Sequence, residues 1–502
     1  MNTEPQGGNK HKTLGDLIPQ ALDSTADTWR ATPIRGLAID SRRVEAGDLF
    51  IAVRGQLTDG HRFISDAAKA GARAAVVEYI TGDPLLQVKV ENTRRAIAEI
   101  AHRYYDYPAR QLRLFGVTGT NGKTTVAAAV EAIAQAAGQK LGILGTVGHR
   151  LGALEFPAAR TTPEAHDIDR LLTEMLQLGI TECLMEVSSH ALKLERVFGL
   201  PFSGAVFTNL TRDHLDFHGN LEEYRDAKFR LFDENLQPGG FAIINGDDPA
   251  GVQLVRLIRD AVVWRFSLKD KSADIHVRIH DETLNGSTMT FFTPVGAINI
   301  KTPLWGTFNF ANLAAAIGMA IALGYPPGAI IEGIAEFRGA RGRVERILGD
   351  FDFSVFVDFA HTPDGLHQVL NAVRPLVKGK LRVLFGCGGG RDVGKRPLMA
   401  RAVEQIADVI YLTSDNPRSE DPMKIISDVM EGFADPDAVI VEPDRGKAIE
   451  RIILECNPTD SALLCGKGHE TMQLIGEHAI EFDDRVVAEK ALSTRGCSVT
   501  RT

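Results

Sequence analysis

Residues 112–138 read LRLFGVTGTNGKTTVAAAVEAIAQAAG, and this stretch decides the fold. LRLFGV (112–117) is an apolar run with the length of a buried strand. TGTNGKTT follows, then an alanine-rich helical run. Strand, glycine loop and helix succeed one another as in the βαβ units of a nucleotide-binding parallel sheet. The loop Gly119-Thr120-Asn121-Gly122-Lys123-Thr124-Thr125 suits phosphate. Its glycines let the backbone turn tightly and aim N–H groups at anionic oxygens. Lys123 supplies a point charge for the β- and γ-phosphates, and Thr124 offers a hydroxyl to Mg²⁺. Val117 takes the first glycine position of the pattern G-x-x-x-x-G-K-[ST], while the G-K-T core and its strand–helix setting are kept. ATPases, kinases, transporter subunits and ligases all use such a loop, so it gives a nucleotide site and not a reaction.

Outward from the loop, LGILGT, ECLMEVS, GAVFTN and FAIING continue the strand pattern. DIHVRIH and TMTFF, between about 262 and 300, predict an antiparallel patch appended to the parallel sheet. A helix is expected over 309–323. FRGARGR (337–343) reads as a linker, and closure of the flanking domains over the substrates is expected from it. Beyond it SVFVD (354–358), LRVLFG (381–386), DVIYLTS (408–414), AVIVE (438–442) and SALLCG (461–466) alternate with helical stretches, the spacing of a doubly wound sheet. GCGGGRD, SDNPRSE and GKGHE each follow one of these strands, so three polar clusters are expected to meet at one crevice. On the other side, GLAID, DLFIAV and AAVVE predict a small α/β domain. The 502 residues thus divide into 1–108, 109–339 and 340–502. The expected fold is α/β with three domains, the central one a P-loop parallel sheet and the C-terminal one a Rossmann-like doubly wound sheet.

Composition narrows the function. With 44% hydrophobic and 24% charged residues the chain has the balance of a soluble globular protein. A net charge of −9 argues against a nucleic-acid partner, though a locally basic site for an anionic substrate is compatible with it. The five cysteines, Cys183, Cys387, Cys456, Cys465 and Cys497, form no C-x-x-C pair, so neither a zinc site nor a disulfide framework is expected, and a cytoplasmic location fits. No run approaches the ~20 apolar residues of a membrane span. MNTEPQGGNKHK has no apolar core, so it reads as a mobile tail and not as a secretory signal. A monomer is expected.

Taken alone, the other clusters stay open. Glu186 ends an apolar strand, where a carboxylate suits Mg²⁺. Asp213, His214, Asp216 and His218 are equally a capped loop or a metal site. Lys228, in YRDAKFRLF, is by type a solvated surface charge. Thr161-Thr162 before Pro163 reads as a turn.

In order along the chain, TGTNGKTT, TTP, MEVSSHAL, DHLDFHG, YRDAKFRLF, FNFANLAA, GRVE and VDFAHTP resemble the Mur ligase family over nearly its whole length. The resemblance implies three domains that bind a UDP moiety, ATP and an amino acid in that order. It also implies an ATP-dependent amide-bond ligation in peptidoglycan precursor synthesis. Thr124, Glu186 and His214 are then the implied Mg²⁺ ligands, with Lys228 carbamylated to serve a second Mg²⁺. Lys123, Glu186, His214 and Lys228 are the implied catalytic set. Asn309, Asn312, Arg343 and Asp358 correspond to adenosine-side contacts. DSRRVEAGDLFIAVRG (40–55) resembles the uridine-binding start of members that take UDP-N-acetylmuramoyl-L-alanyl-D-glutamate. Ile39, Ser41 and Gln56-Leu57-Thr58 match that end; Thr161, Thr162, Ser188, Leu194 and Arg196 match the muramoyl-dipeptide positions.

Asp415-Asn416-Pro417-Arg418 has the form found in members that add meso-2,6-diaminopimelate, and Arg391, Gly466 and Glu470 match the remaining contacts to that amino acid. An arginine fork suits a distal carboxylate, and Glu470 suits a distal ammonium, since a buried carboxylate requires a partner. The other reading of Arg418 is an ion pair with Glu420 or Asp421. The competing functions are an L-lysine-adding ligase, a folylpolyglutamate synthase and a nucleotide-operated regulatory or transport ATPase.

Overall fold

The computed structural model describes residues 12–26, 28–55 and 58–500. The expectations for residues 1–11 of the tail, and for Gln56 and Leu57, lie outside the described residues. Contact density divides the chain into two compact units, one of residues 1–116, 140–203 and 227–240, the other of 117–139, 204–226 and 241–502.

The first unit holds a five-stranded sheet in the order 23–24, 87–89, 74–77, 49–51, 37–38, parallel except for the edge pair 23–24 with 87–89. Its strands are short and buried, as expected where helices cover a parallel sheet. Leu49, Ile51, Val76 and Val88 pack against Ile97 and Ile100 of the helix Thr93–Tyr104. Asn92 caps that helix through the N–H groups of Arg94 and Arg95. Further along, strand Glu182–Glu186 runs parallel to Leu141–Leu144, and the hairpin of His149–Leu151 with Leu154–Phe156 continues beyond it.

In the second unit the helix Lys123–Ala136 leaves the glycine loop and packs on the helices Thr307–Leu323 and Pro327–Glu336. Gly333 permits that approach: a Cβ there would stand 2.6 Å from the Cα of Ile133. Residues 241–245, 262–267 and 275–276 pair in parallel, then strands Ile275–Thr283, Gly286–Thr293 and Gly296–Thr302 form the antiparallel patch. The strand read as FAIING starts earlier, at Leu236. Pro238 and two glycines read as punctuation, but the extended backbone continues through them, with only Gly239 at a positive φ of 77°.

Residues 337–344 carry no helix or strand. The C-terminal sheet follows, in the order 345–347, 354–358, 461–465, 381–385, 409–412, 439–441. All neighbours are parallel except the first pair. The chain leaves strand 381–385 toward 409–412 and returns on its other side at 461–465. This reversal of direction opens a crevice at the strand ends.

Candidate functional site

In the first unit, residues that the sequence separates meet around Glu186, which is 2% exposed. Its two carboxylate oxygens accept from the N–H and the hydroxyl of Thr146, each at 2.9 Å. Thr161 Oγ1 lies 3.1 Å from the same hydroxyl. Thr162 donates its hydroxyl to the Glu186 carbonyl at 2.8 Å and accepts the Ser188 N–H at 3.0 Å. Arg196 donates to the Thr162 carbonyl and pairs with Glu164 at 3.0 Å. The TTP turn is therefore tied to strand 182–186 and to the helix Ser189–Lys193, which Ser188 caps. Leu194 ends that helix with a side chain that cannot hydrogen-bond. Ile39 packs on the core of the small sheet, Ser41 opens a short 3₁₀ turn, and the Thr58 carbonyl accepts the Gly55 N–H. Among the described residues no hydrogen bond ties these three to the Thr162 cluster. Lys228 is 1% exposed, so it is not the solvated charge its residue type predicts.

The glycine loop belongs to the second unit. Asn121 donates its N–H to Asn209 Oδ1, and Thr208 Oγ1 donates to the Asn121 carbonyl at 2.6 Å. Thr211 N–H donates to Thr120 Oγ1, beside Tyr224 Oη at 3.1 Å. Lys123 Nζ donates to the carbonyls of Gly119 and Thr120, both at 2.9 Å, curling over its own loop. Gly119 has φ 150° and Gly122 φ 92°. A Cβ on Gly122 would lie 2.3 Å from Asn312 Oδ1, so the loop and the helix Thr307–Leu323 touch there. Thr124 is buried in the first turn of the helix that follows.

A cavity of about 790 Å³ opens beside the loop. Asn121, Gly122, Thr125, Asn309, Asn312, Arg343 and Asp358 line it, bringing all four expected adenosine-side residues to one space. Asn309 donates to the Trp305 carbonyl, which fixes its amide. Asp358 accepts the N–H groups of Val344 and Ala360, both at 2.7 Å. Burial pushes its carboxyl above the usual range, against the opposing charge of Arg343. Arg343 lies over the Phe359 ring at 4.7 Å. His469 packs against the same Phe359 ring; burial, with Arg343 and Arg341 beside it, holds its imidazole down to about 4.

The cluster Asp213, His214, Asp216 and His218 does not converge. Among the described residues no three His, Cys, Asp or Glu side chains gather as a metal group. His218 is buried against Tyr224 and Phe217, while His214 takes a left-handed φ of 53° and sits 3.4 Å from Asp213. Burial pushes the Asp213 carboxyl up, but His214 and His361 outweigh it and hold it low. The hydroxyl of Thr124 and the carboxylate of Glu186 are the oxygen donors a hard cation prefers; an ammonium at Lys228 is not, whereas its carbamate would be.

The three clusters after strands 381–385, 409–412 and 461–465 do meet. Gly389 N–H donates to the Asn416 carbonyl at 2.9 Å, and Arg418 Nη1 donates to the Gly389 carbonyl at 2.8 Å. Asn416 Nδ2 donates to Glu470 Oε2 at 2.7 Å. Arg418 forms no ion pair with Glu420 or Asp421: Glu420 binds Arg396, and Asp421 caps the helix Pro422–Met430. Its backbone has φ 53° and is clamped by the Leu474 carbonyl and the Gly476 N–H. Asp415 Oδ1 accepts the Asn416 N–H, and its Oδ2 is buried without a partner, 2.6 Å from where a Cβ on Gly466 would stand. Arg391 is exposed.

One expectation is corrected here. Glu470 is not an unpartnered carboxylate waiting for a ligand: Lys467 Nζ donates to it at 3.1 Å, and Asn416 holds the same oxygen. Sequence reading also missed Thr146, Asn209, Lys467 and Arg445. Only Asn209 carried a local signal, as the residue directly after strand Phe202–Phe207 and its threonine. Arg445, fully buried, pairs with Asp484 at 2.6 Å and donates to the carbonyls of Cys465 and Ser414, the residues before Gly466 and Asp415.

This architecture has known relatives. Residues 33–105 match the profile of the Mur ligase family catalytic domain, 117–320 the Mur ligase middle domain and 342–468 the Mur ligase glutamate ligase domain. A UDP-N-acetylmuramoyl-L-alanyl-D-glutamate--2,6-diaminopimelate ligase of Gloeobacter violaceus is 44% identical over 92% of this chain and 94% of its own. The protein of the same name from Geobacillus thermodenitrificans is 43% identical over 92% and 95%. A solved structure of a ligase with that name superposes with a TM-score of 0.68 at 32% identity, covering 97% of this chain and 99% of the other. No helix among the described residues is long and apolar enough to cross a membrane. The chain belongs to the Mur ligase family.

Proposed function

We propose that this chain joins meso-2,6-diaminopimelate to UDP-N-acetylmuramoyl-L-alanyl-D-glutamate, cleaving ATP to ADP and phosphate, as a cytoplasmic step of peptidoglycan precursor synthesis. Segments 1–108, 109–339 and 340–502 serve the nucleotide-linked peptide, ATP and the amino acid in turn. The observation that carries the reading is the crevice at the C-terminal sheet. There Arg418, which donates to the Gly389 carbonyl, and Glu470, which accepts the Asn416 amide, belong to one hydrogen-bonded cluster, since Gly389 in turn donates to the Asn416 carbonyl. A side chain ending in both a carboxylate and an ammonium complements that pair; lysine, lacking the carboxylate, does not.

The glutamate carboxylate attacks the γ-phosphorus of ATP, releasing ADP and leaving an acyl phosphate. The neutral amine of the L-centre adds to the acyl carbon, and the tetrahedral adduct collapses to amide and phosphate. The protein acts by positioning and by neutralising charge, without a nucleophile of its own. Lys123 and the loop N–H groups hold the phosphates. Asn309, Asn312, Arg343 and Asp358 line the nucleoside space. Thr161, Thr162, Ser188 and Arg196 orient the peptide, with Ile39, Ser41 and Thr58 toward the uridine. Arg391, Asp415, Arg418 and Glu470 receive the amine substrate. Thr124, Glu186, His214 and a carbamylated Lys228 would be the residues to hold Mg²⁺, whose chemistry would be to screen the repulsion between two anions.

Phosphate release from ATP with the UDP-linked dipeptide, run with diaminopimelate, with L-lysine and without amine, tests this. Release that depends on diaminopimelate is expected. Equal release without amine would instead mark an ATPase, and a preference for L-lysine would reassign the substrate.

A further inference from the structure

Lys467 is 0% exposed, yet it is a lysine. Its ammonium has three N–H bonds and finds three acceptors: the Met472 carbonyl at 2.7 Å, Glu470 Oε2 at 3.1 Å and Asn416 Oδ1 at 3.3 Å. Burying an ammonium is costly even when it is paired, and an apolar residue of similar volume often serves stability as well or better. Its consequences for the neighbouring groups are specific. Asn416 Oδ1 accepts from both Lys467 and the Leu474 N–H, at 2.9 Å, so the amide has one orientation and must present Nδ2 to Glu470. Glu470 Oε2 then receives two donors, which leaves Oε1 for an incoming cation. The backbone of the same residue touches the other half of the crevice: Arg418 Nη1, which donates to the Gly389 carbonyl at 2.8 Å, stands 3.5 Å from the Asn416 backbone carbonyl, and Gly389 N–H donates to that carbonyl. Asn416 thus reaches both halves of the crevice, Glu470 through its side-chain amide and Arg418 through its backbone carbonyl, and Lys467 holds the side-chain amide and Glu470 together.

We infer that Lys467 is a positioning residue that sets the handedness with which the crevice reads the far end of its amine substrate; this rests on the function proposed above. A distal carbon bearing hydrogen, carboxylate and ammonium is read for chirality only if Arg418 and Glu470 Oε1 keep fixed places relative to the arriving chain. Removing the Lys467 ammonium leaves Asn416 Oδ1 to the Leu474 N–H alone and Glu470 Oε2 to the Asn416 amide alone, so Glu470 is free to rotate and the two stereoisomers become more alike to the site. Lys467 touches no substrate atom in this account and takes no part in the chemical step.

The test compares kcat/KM for meso- and L,L-diaminopimelate in the wild-type chain, Lys467→Met and Lys467→Arg, alongside thermal melting. For Lys467→Met, KM for meso-diaminopimelate should rise on the order of tenfold or more, the loss typical when one partner of a buried, hydrogen-bonded charge pair is removed. The preference for meso over L,L should shrink by a similar factor. KM for ATP and for the UDP-linked dipeptide should hold. Lys467→Arg, which restores charge and donors, should recover part of the preference. An unchanged stereoisomer ratio in Lys467→Met would overturn the inference. So would loss of cooperative melting in both variants, which would assign the residue to folding. If the wild-type chain ligates neither isomer, it is the function proposal that fails, so the two failures are told apart by the wild-type arm.

Discussion

Around the glycine loop the space is wide, about 790 Å³, and what the loop offers a ligand is chiefly backbone N–H groups and one lysine. At the ends of strands 381–385, 409–412 and 461–465 the offer consists of charged side chains already joined to one another, by way of Asn416, Lys467 and the buried Arg445–Asp484 pair. The difference follows from what each must recognise. Triphosphate is a string of equivalent oxygens, and a nest of N–H groups at a helix N-terminus accepts it with little need for side-chain precision. An amino acid with two similar ends must be read at points a few ångströms apart, so the reading groups must be held before the ligand arrives.

That contrast can be broken in graded steps. Arg445→Met should have the largest effect, about 3–5 kcal/mol of unfolding free energy, because Asp484 would be left buried and uncompensated. Denaturant unfolding of the variant measures it, and a change below 1 kcal/mol would mean the crevice is not braced by this pair. Lys123→Ala should lower amine-dependent phosphate release by about 10²–10³-fold while leaving the melting temperature nearly unchanged. A large stability loss would show that the loop, too, depends on side-chain wiring. Arg418→Ala should cost on the order of 2 kcal/mol of the preference for diaminopimelate over L-lysine, since its guanidinium is only half-buried. An intact preference removes Arg418 from specificity.

The smallest effect sharpens the comparison with wiring that serves no ligand. His102 Nδ1 lies 2.7 Å from Asp169 Oδ2 and Nε2 lies 2.9 Å from the Phe198 carbonyl, so both nitrogens face oxygens, a setting that favours the positive charge of a protonated ring, although burial raises the Asp169 carboxyl as well. Burial opposes that charge, but Asp169 prevails and raises the pKa above its ordinary 6.5. A raised histidine stabilises the fold fully below the unfolded value and progressively less as pH climbs through the folded one. His149, His166, His361 and His469, held low by burial, act in the opposite sense, so the part that belongs to His102 is read by difference: His102→Gln should lower melting more at pH 6 than at pH 8.5, without changing phosphate release extrapolated to saturating substrate.

The sequence made the sheets readable for a local reason. SVFVD, LRVLFG and SALLCG are buried on both faces and so appear as unbroken apolar runs, and their ends are marked by glycines and charges. The glycine loop was equally legible, being seven consecutive residues with one job. Lys467 was not: it lies inside a glycine-rich turn, and its meaning depends on Asn416, 51 positions away. Arg445 resembles any charged residue at a helix start until Asp484 is seen beneath it, 39 positions on. Lys228 misled for the same reason, since a lone charge in a helix announces solvent unless its tertiary setting is known. Glu470 was legible in place and misread in state, because the partner that satisfies it sits on its own turn, three residues earlier.

Arg418 stands in a left-handed backbone conformation that glycine and asparagine adopt at less expense. A laboratory lineage selected only for heat resistance would therefore drift away from arginine at this position, and would shed its discrimination without passing through an unfolded intermediate. Anyone hardening this enzyme for use should hold residue 418 fixed and seek tolerance elsewhere.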